Sequence, residues 1–246
     1  MELKALINAI VAGLTTGSLY AAMALGLTLV GGVVRILTFA HGAIAVMGGY
    51  FSWFFFKQAG LGIVPALMAA AAVMFIFGVL LYYWGINPLI KKPGWGMSTV
   101  IFTLGLSIII NNLLLQAFGP RFKYIPKFVK GSFKYGYLRI PWHDIILICI
   151  VILFFILFLV FLKFTWFGRS IRAVSEDMDG ARIVGIDVDK TYALTFGIGM
   201  AVAGFSGALL STKLFITPTI EADWMMKAFV IIILGGWGSV MGALLA

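Results

Sequence analysis

Charge is what this sequence has least of. Lys, Arg, Asp and Glu together make up 11% of 246 residues, less than half the roughly 25% of a soluble domain. That scarcity excludes a water-soluble globular enzyme. With a mean hydropathy of +1.09 it also excludes intrinsic disorder, which needs low hydrophobicity and high charge. Cysteine is reduced to Cys149, in Leu147-Ile-Cys-Ile150. No intramolecular disulfide and no two-cysteine metal motif can form, and a thiol in such a run reads as a small buried hydrophobe. Only two histidines occur, with no His-Glu-x-x-His and no Cys/His cluster, so no metal ligand set is expected. There is no Gly-x-x-x-x-Gly-Lys-Ser/Thr, so the chain has no P-loop for ATP. No basic stripe interleaved with aromatics points to nucleic acid, and the net charge of +9 reads as loops lying beside anionic lipid.

What is present is apolar length. Residues 5–34, 36–56, 58–90, 93–120, 145–162, 191–212 and 228–246 carry no charge. Each run reaches the roughly 18–20 residues that cross a bilayer as a helix, whereas a barrel would show alternating segments of about 10 residues. The expectation is an all-α, polytopic transmembrane bundle of about seven spans, one domain over 1–246. The first run is too long for a signal-peptide core and reads as a retained span. Trp53, Trp84, Trp95, Trp142 and Trp166 lie near run ends, where interfacial aromatics sit. Ala246 closes an apolar run without a polar flank, which reads as a truncation with at least one further span beyond it.

Two gaps between runs are long. Residues 118–144 hold Arg121, Lys123, Lys127, Lys130, Lys134 and Arg139 against Asp144. Residues 163–190 hold five basic and five acidic residues. Lys and Arg divide almost evenly between the two sides, so the positive-inside rule does not orient the chain. In the second gap Ser175 can N-cap a helix over Glu176–Val184, with Glu176 and Asp177 in its first turn and Gly185 ending it. A helix of roughly nine residues is marginal alone in water, so a partner surface should hold it. Asp187 or Asp189 offers a cap for the following span.

Small residues recur at helical spacing at Gly13, Gly17 and Ala21 and at Gly197, Ala201, Gly204 and Gly207, and Gly235, Gly236 and Gly238 form a further group of candidate helix-packing residues. Such spacing lets helix backbones approach closely in lipid. His41 sits at the start of an apolar run, and Thr103, Ser107, Asn111 and Asn112 lie inside another; each can line a polar path or simply tie helices together. A serine-protease reading of Gly204-Phe-Ser206-Gly207 needs a general base, for which only His41 and His143 are available.

Three islands, in this order, resemble one family. The first is Gly17-Ser-Leu-Tyr-Ala-Ala-Met-Ala-Leu-Gly-Leu-Thr-Leu-Val-Gly-Gly32 followed by Leu37-Thr-Phe-Ala-His-Gly42. The second is Gly168-Arg-Ser-Ile-Arg-Ala173 with Glu176-Asp177, Ala181 and Gly185-Ile-Asp-Val188. The third is Lys227-Ala-Phe-Val-Ile-Ile-Ile-Leu-Gly-Gly-Trp-Gly-Ser239 with Gly242-Ala243. Together they resemble the LivH-type permease subunits of branched-chain amino-acid ABC importers, over nearly the whole chain except 118–143. Thr38 stands where the family usually has Asn, and Gly180 is unusual in the second island.

The resemblance implies a multi-pass subunit of a prokaryotic plasma membrane, with 163–190 as a cytoplasmic coupling loop and 118–144 as an external basic loop. It implies separate ABC ATPase subunits that bind the ATP, no cofactor in this chain, a second permease subunit that is a paralogue, and a soluble substrate-binding protein. Arg169, Arg172, Glu176, Asp177, Ala181 and Gly185 would then couple to the ATPase, and Tyr20, Thr38, His41 and Asn112 would contribute polar groups to the substrate path. Branched-chain or other hydrophobic amino acids are the expected cargo. Urea or short amides, an ATP-independent channel or secondary transporter, and the intramembrane protease remain as alternatives.

Overall fold

The computed structural model describes residues 2–135 and 138–245. Helix α1 (Glu2–Val34) leads to α2 (His41–Lys57) and α3 (Ile63–Leu81). A π-turn at Tyr82–Ile86 joins α3 to the short α4 (Asn87–Ile90), accommodating Pro88, whose ring cannot continue an ordinary helical ladder. Then come α5 (Trp95–Phe118), a two-stranded antiparallel ribbon of β1 (Ser132–Tyr135) and β2 (Leu138–Pro141), and α6 (Trp142–Phe164). An arm of two short helices, α7 (Trp166–Glu176) and α8 (Met178–Ile183), precedes α9 (Val188–Lys213). A 3₁₀ turn at Pro218–Ile220 opens α10 (Glu221–Gly235), and α11 (Val240–Leu245) follows.

The bundle class matches the sequence expectation, but the number of full-length spans is lower. Among the described residues five helical segments are long and apolar enough to cross a membrane: 6–34, 63–90, 95–118, 142–164 and 188–213. The run 36–56 yields only the 17-residue α2, and the last run is broken between Gly235 and Val240. Burial separates centre from rim. The apolar windows of α1 and α9 are 83% and 78% buried, against 28%, 22% and 28% for those of α3–α4, α5 and α6.

Glycine is why α9 can be central. A Cβ on Gly207 would run into the Ala45 carbonyl of α2, one on Gly204 into Met74 of α3, and one on Gly197 into Phe75 and Val79 of α3. Gly26 of α1 lies as closely against Gly199. Ala201 instead faces an apolar groove between α3 and α6. The stripe on α1 behaves differently: Gly13 and Gly17 have no neighbour within 4 Å of an added Cβ. The third group divides as well. Gly235 packs against the Gly242 backbone and Gly238 against Gly32, but Gly236 serves the turn, with φ +88°. Cys149 lies exposed on the outward side of α6, correcting the expectation of a buried thiol.

The two ends of the bundle are built differently. At the ribbon end, Lys123 and Ile216 exchange backbone hydrogen bonds, and the Ile125 N–H donates to Ser211 O. His143 accepts from the Phe128 N–H through Nδ1 at 3.3 Å, so its Nε2 carries the proton and faces Thr212 Oγ1 at 3.4 Å. The Lys213 ammonium lies 3.1 Å from Asp144, with both side chains 13% exposed. At the arm end, Arg35 donates to the Ser175 carbonyl, and Asp189 pairs with Lys91 and accepts from Tyr82.

Candidate functional site

The arm is positioned by a tight corner. Thr165 N-caps α7 by accepting the Gly168 N–H at 3.0 Å. A Cβ on Gly168 would strike the Phe161 and Leu162 carbonyls, so only glycine lets α7 leave α6 so abruptly. Helix α7 is amphipathic: Ser170, Ile171 and Val174 face the bundle, while Arg169, Arg172 and Glu176 face water. Arg172 donates to the Lys163 carbonyl at 3.3 Å, so its guanidinium also braces the corner. Glu176 is exposed.

The single helix expected over Glu176–Val184 is replaced by a break at Asp177. Ser175 does not cap; its hydroxyl turns back onto the Arg172 carbonyl. Asp177 caps α8 instead, accepting the Asp179 N–H at 3.0 Å. A Cβ on Gly180 would press on the Asp177 carboxylate that makes this cap. Ala181 is the buried anchor of α8, and Gly185, at φ +85°, ends the turn as expected. Of the two proposed caps for the next span it is Asp187 that serves α9. The Lys190 N–H and ammonium hold its carboxyl below the usual carboxylate range. The tip of the arm is apolar and open: Ile183 and Val184 are 86% and 74% exposed.

A second site lies in the middle of the bundle. After Arg35 the chain does not span. Residues 35–40 turn back along the bundle interior, where the Phe39 N–H donates to Thr103 Oγ1 at 3.2 Å. Thr103 stands eight residues into α5, roughly 12 Å from its start at about 1.5 Å per residue. Helix α2 therefore begins at membrane depth, without a side-chain cap. His41 is fully buried at that start and donates from Nε2 to the Met23 carbonyl at 3.2 Å, wedged beside Gly26. Its Nδ1 and the Thr38 hydroxyl are buried without partners among the described residues.

Helix α10 also begins inside. Ser107 Oγ donates to Glu221 Oε2 at 2.8 Å, and Asn111 Nδ2 donates to Oε1 at 3.1 Å. Those residues lie near the midpoint of α5, some 10–16 Å from its ribbon end. The two interrupted helices meet: a Cβ on Gly42 would collide with the Glu221 carbonyl and Met225. Irregular backbone at this depth is tolerated only where protein buries it or it borders a cavity. A cavity of about 290 Å³ does open here, between Phe39, Gly42, Leu104, Glu221, Met225 and Phe229.

The expected path residues are not gathered into one place. Thr38 and His41 sit at the start of α2. Tyr20 is 5% exposed on α1 and accepts from Lys227 at 3.2 Å, with the ammonium over its ring. Asn112 is exposed and donates to its own helix at the Ile108 carbonyl; its neighbour Asn111 is the one that reaches inward. Glu221 went unnoticed in the sequence because it falls between charge-free runs. The available signal was the i, i+4 spacing of Ser107 and Asn111, which puts both on one face of an apolar helix. Ser206 is fully buried and donates to Val202 O at 2.8 Å, and neither histidine is among its partners.

Comparison with known proteins gives the same answer along the whole chain. Residues 9–246 match the family model for the branched-chain amino acid transport system permease component. BraD of Pseudomonas aeruginosa, a high-affinity branched-chain amino acid transport system permease protein, is 32% identical over 99% of this chain and 83% of its own. LivH of Escherichia coli, of the same description, is 31% identical over 95% and 80%. A probable branched-chain amino acid transport permease protein, LivM of Methanocaldococcus jannaschii, is 25% identical over 76% and 54%. No solved structure gives a significant match. With its interrupted helices, its protruding arm and this match from end to end, the chain belongs to the branched-chain amino acid transport permease family.

Proposed function

We propose that this chain is one of two membrane-embedded permease subunits of an ATP-driven importer for branched-chain or similarly hydrophobic amino acids, in the plasma membrane of a prokaryote. The observation that carries the proposal is the arm. Two short, individually capped helices hold Ile183 and Val184 out at a polar end of the bundle. Adjacent, strongly exposed aliphatic side chains held out on a protruding arm suit a protein contact. The partner is a separate ATPase subunit, which places 163–190 in the cytoplasm and 118–144 outside. ATP is bound by that subunit, and this chain supplies no catalytic residue.

The open glycine face of α1, at Gly13 and Gly17, suits close approach by the second permease chain. The match to a chain named LivM supports a paralogue in that role. Outside, exposed Arg121, Lys127 and Lys130 suit the acidic surface of a binding protein that delivers cargo. The ATPase moves the arm. The arm moves α6 and α9 through the Thr165–Gly168 corner and the Asp187 cap, and the path opens to one side at a time.

The test is purification of the protein from its own host in mild detergent, followed by identification of what accompanies it. An ATPase and a second polytopic chain in stoichiometric amounts are expected. A lone, stable protein would refute the proposal.

A further inference from the structure

The cleft between α5 and α10 contains a carboxylate that packing alone does not explain. Glu221 is half-buried, at the depth of the α5 midpoint, with each oxygen accepting one hydrogen bond from α5. An ionised carboxylate accepts about four, so each oxygen keeps an open position. Apart from Ser107, whose hydroxyl donates to Glu221, the side chains bordering that opening are apolar, among them Phe39, Leu104, Met225, Met226 and Phe229. Opening such a group onto acyl chains would be costly, so the cleft suits a polar path or the second permease chain. Asp223 and Lys227 are exposed on other faces of α10, away from Glu221, and Lys227 reaches Tyr20 of α1.

We infer that this cleft is a way-station for the cargo in which Glu221 receives the α-ammonium group of the amino acid while Leu104, Met225 and Phe229 receive its hydrophobic side chain. The inference rests on the function proposed above. The chemistry is complementary at three points. Ser107 and Asn111 hold the carboxylate by one bond to each oxygen where Glu221 borders the cleft, and a charge-assisted bond to an ammonium is among the stronger hydrogen bonds. The volume of about 290 Å³ suits a single small amino acid. On the opposite wall, Gly42 and Ala43 belong to the uncapped first turn of α2, whose positive helix end faces the cargo carboxylate. Gly42 has no side chain because one would fill the junction with Glu221 and Met225. Two interrupted helices thus meet around a zwitterion, a known arrangement for midplane sites in transporters.

The test uses the complete importer with its binding protein in proteoliposomes, reading labelled leucine uptake and ATP hydrolysis together. Glu221→Gln keeps the size and removes the charge. Leucine taken up per ATP should fall at least about tenfold, the loss expected for a charge-assisted hydrogen bond, while hydrolysis stimulated by the loaded binding protein continues. Glu221→Asp should recover part of the uptake. Uptake per ATP within twofold of wild type in Glu221→Gln overturns the inference alone. A wild-type complex that hydrolyses ATP but imports no amino acid contradicts the proposed function itself. Wild-type protein supplies an independent readout that needs no variant to fold: a leucine analogue with a side-chain diazirine should cross-link within 104–108 and 221–229, competed by leucine. Labelling confined to other segments overturns the assignment.

Discussion

Ile183→Asp is the sharpest perturbation of the arm. Ile183 is 86% exposed, so the bundle's own stability owes it little, and its removal should shift thermal unfolding by less than about 0.5 kcal/mol. Burying an isoleucine side chain against a partner contributes about 1.5–3 kcal/mol. Aspartate forfeits that and brings a carboxylate whose desolvation adds a further penalty. The net loss of about 2–3 kcal/mol corresponds to about 30- to 150-fold in Kd. The assay is titration of the purified ATPase subunit onto permease in detergent or nanodiscs. An affinity within threefold of wild type, with the variant folded, would refute the claim that the arm tip is the docking surface.

Other consequences concern the bundle. Gly207→Ala should cost about 1–3 kcal/mol of overpacking, because its Cβ meets the Ala45 backbone, whereas Gly13→Ala on the open face of α1 should be nearly neutral; thermal unfolding of the two variants in detergent separates these cases. Asp144→Asn leaves the Lys213 ammonium without its counter-ion at a 13% exposed site and should cost about 3–5 kcal/mol. The double replacement Asp144→Leu with Lys213→Met should restore most of that stability. Gly236→Ala places a Cβ at φ +88° and should cost about 1–3 kcal/mol, seen as lost protection of α11 in hydrogen exchange.

The membrane class, the rim helices and the ends of α9 were legible because charge-free length and side-chain caps are local properties. Gly185 and Asp187 were found for that reason. The interrupted helices were not legible. An apolar run counts residues and cannot show that 35–40 folds back, or that α2 starts level with Met23. The cap at Asp177 was missed because Ser175, an equally good residue by type, is still inside α7 and spends its hydroxyl on Arg172. Glu221 was hidden for a third reason. Its position in sequence is that of a loop charge, and only the tertiary pairing with Ser107 and Asn111 brings it to the depth where a lone carboxylate has consequences.

The most direct test of the whole account is ATP-driven transport by the assembled complex. The permease, the co-purified second chain and the ATPase are placed in proteoliposomes with ATP on the arm side and a loaded binding protein on the ribbon side. Concentrative uptake of labelled leucine that stops when ATP is omitted is expected. Uptake that runs unchanged without ATP, or none at all in a complex that hydrolyses it, would contradict the account.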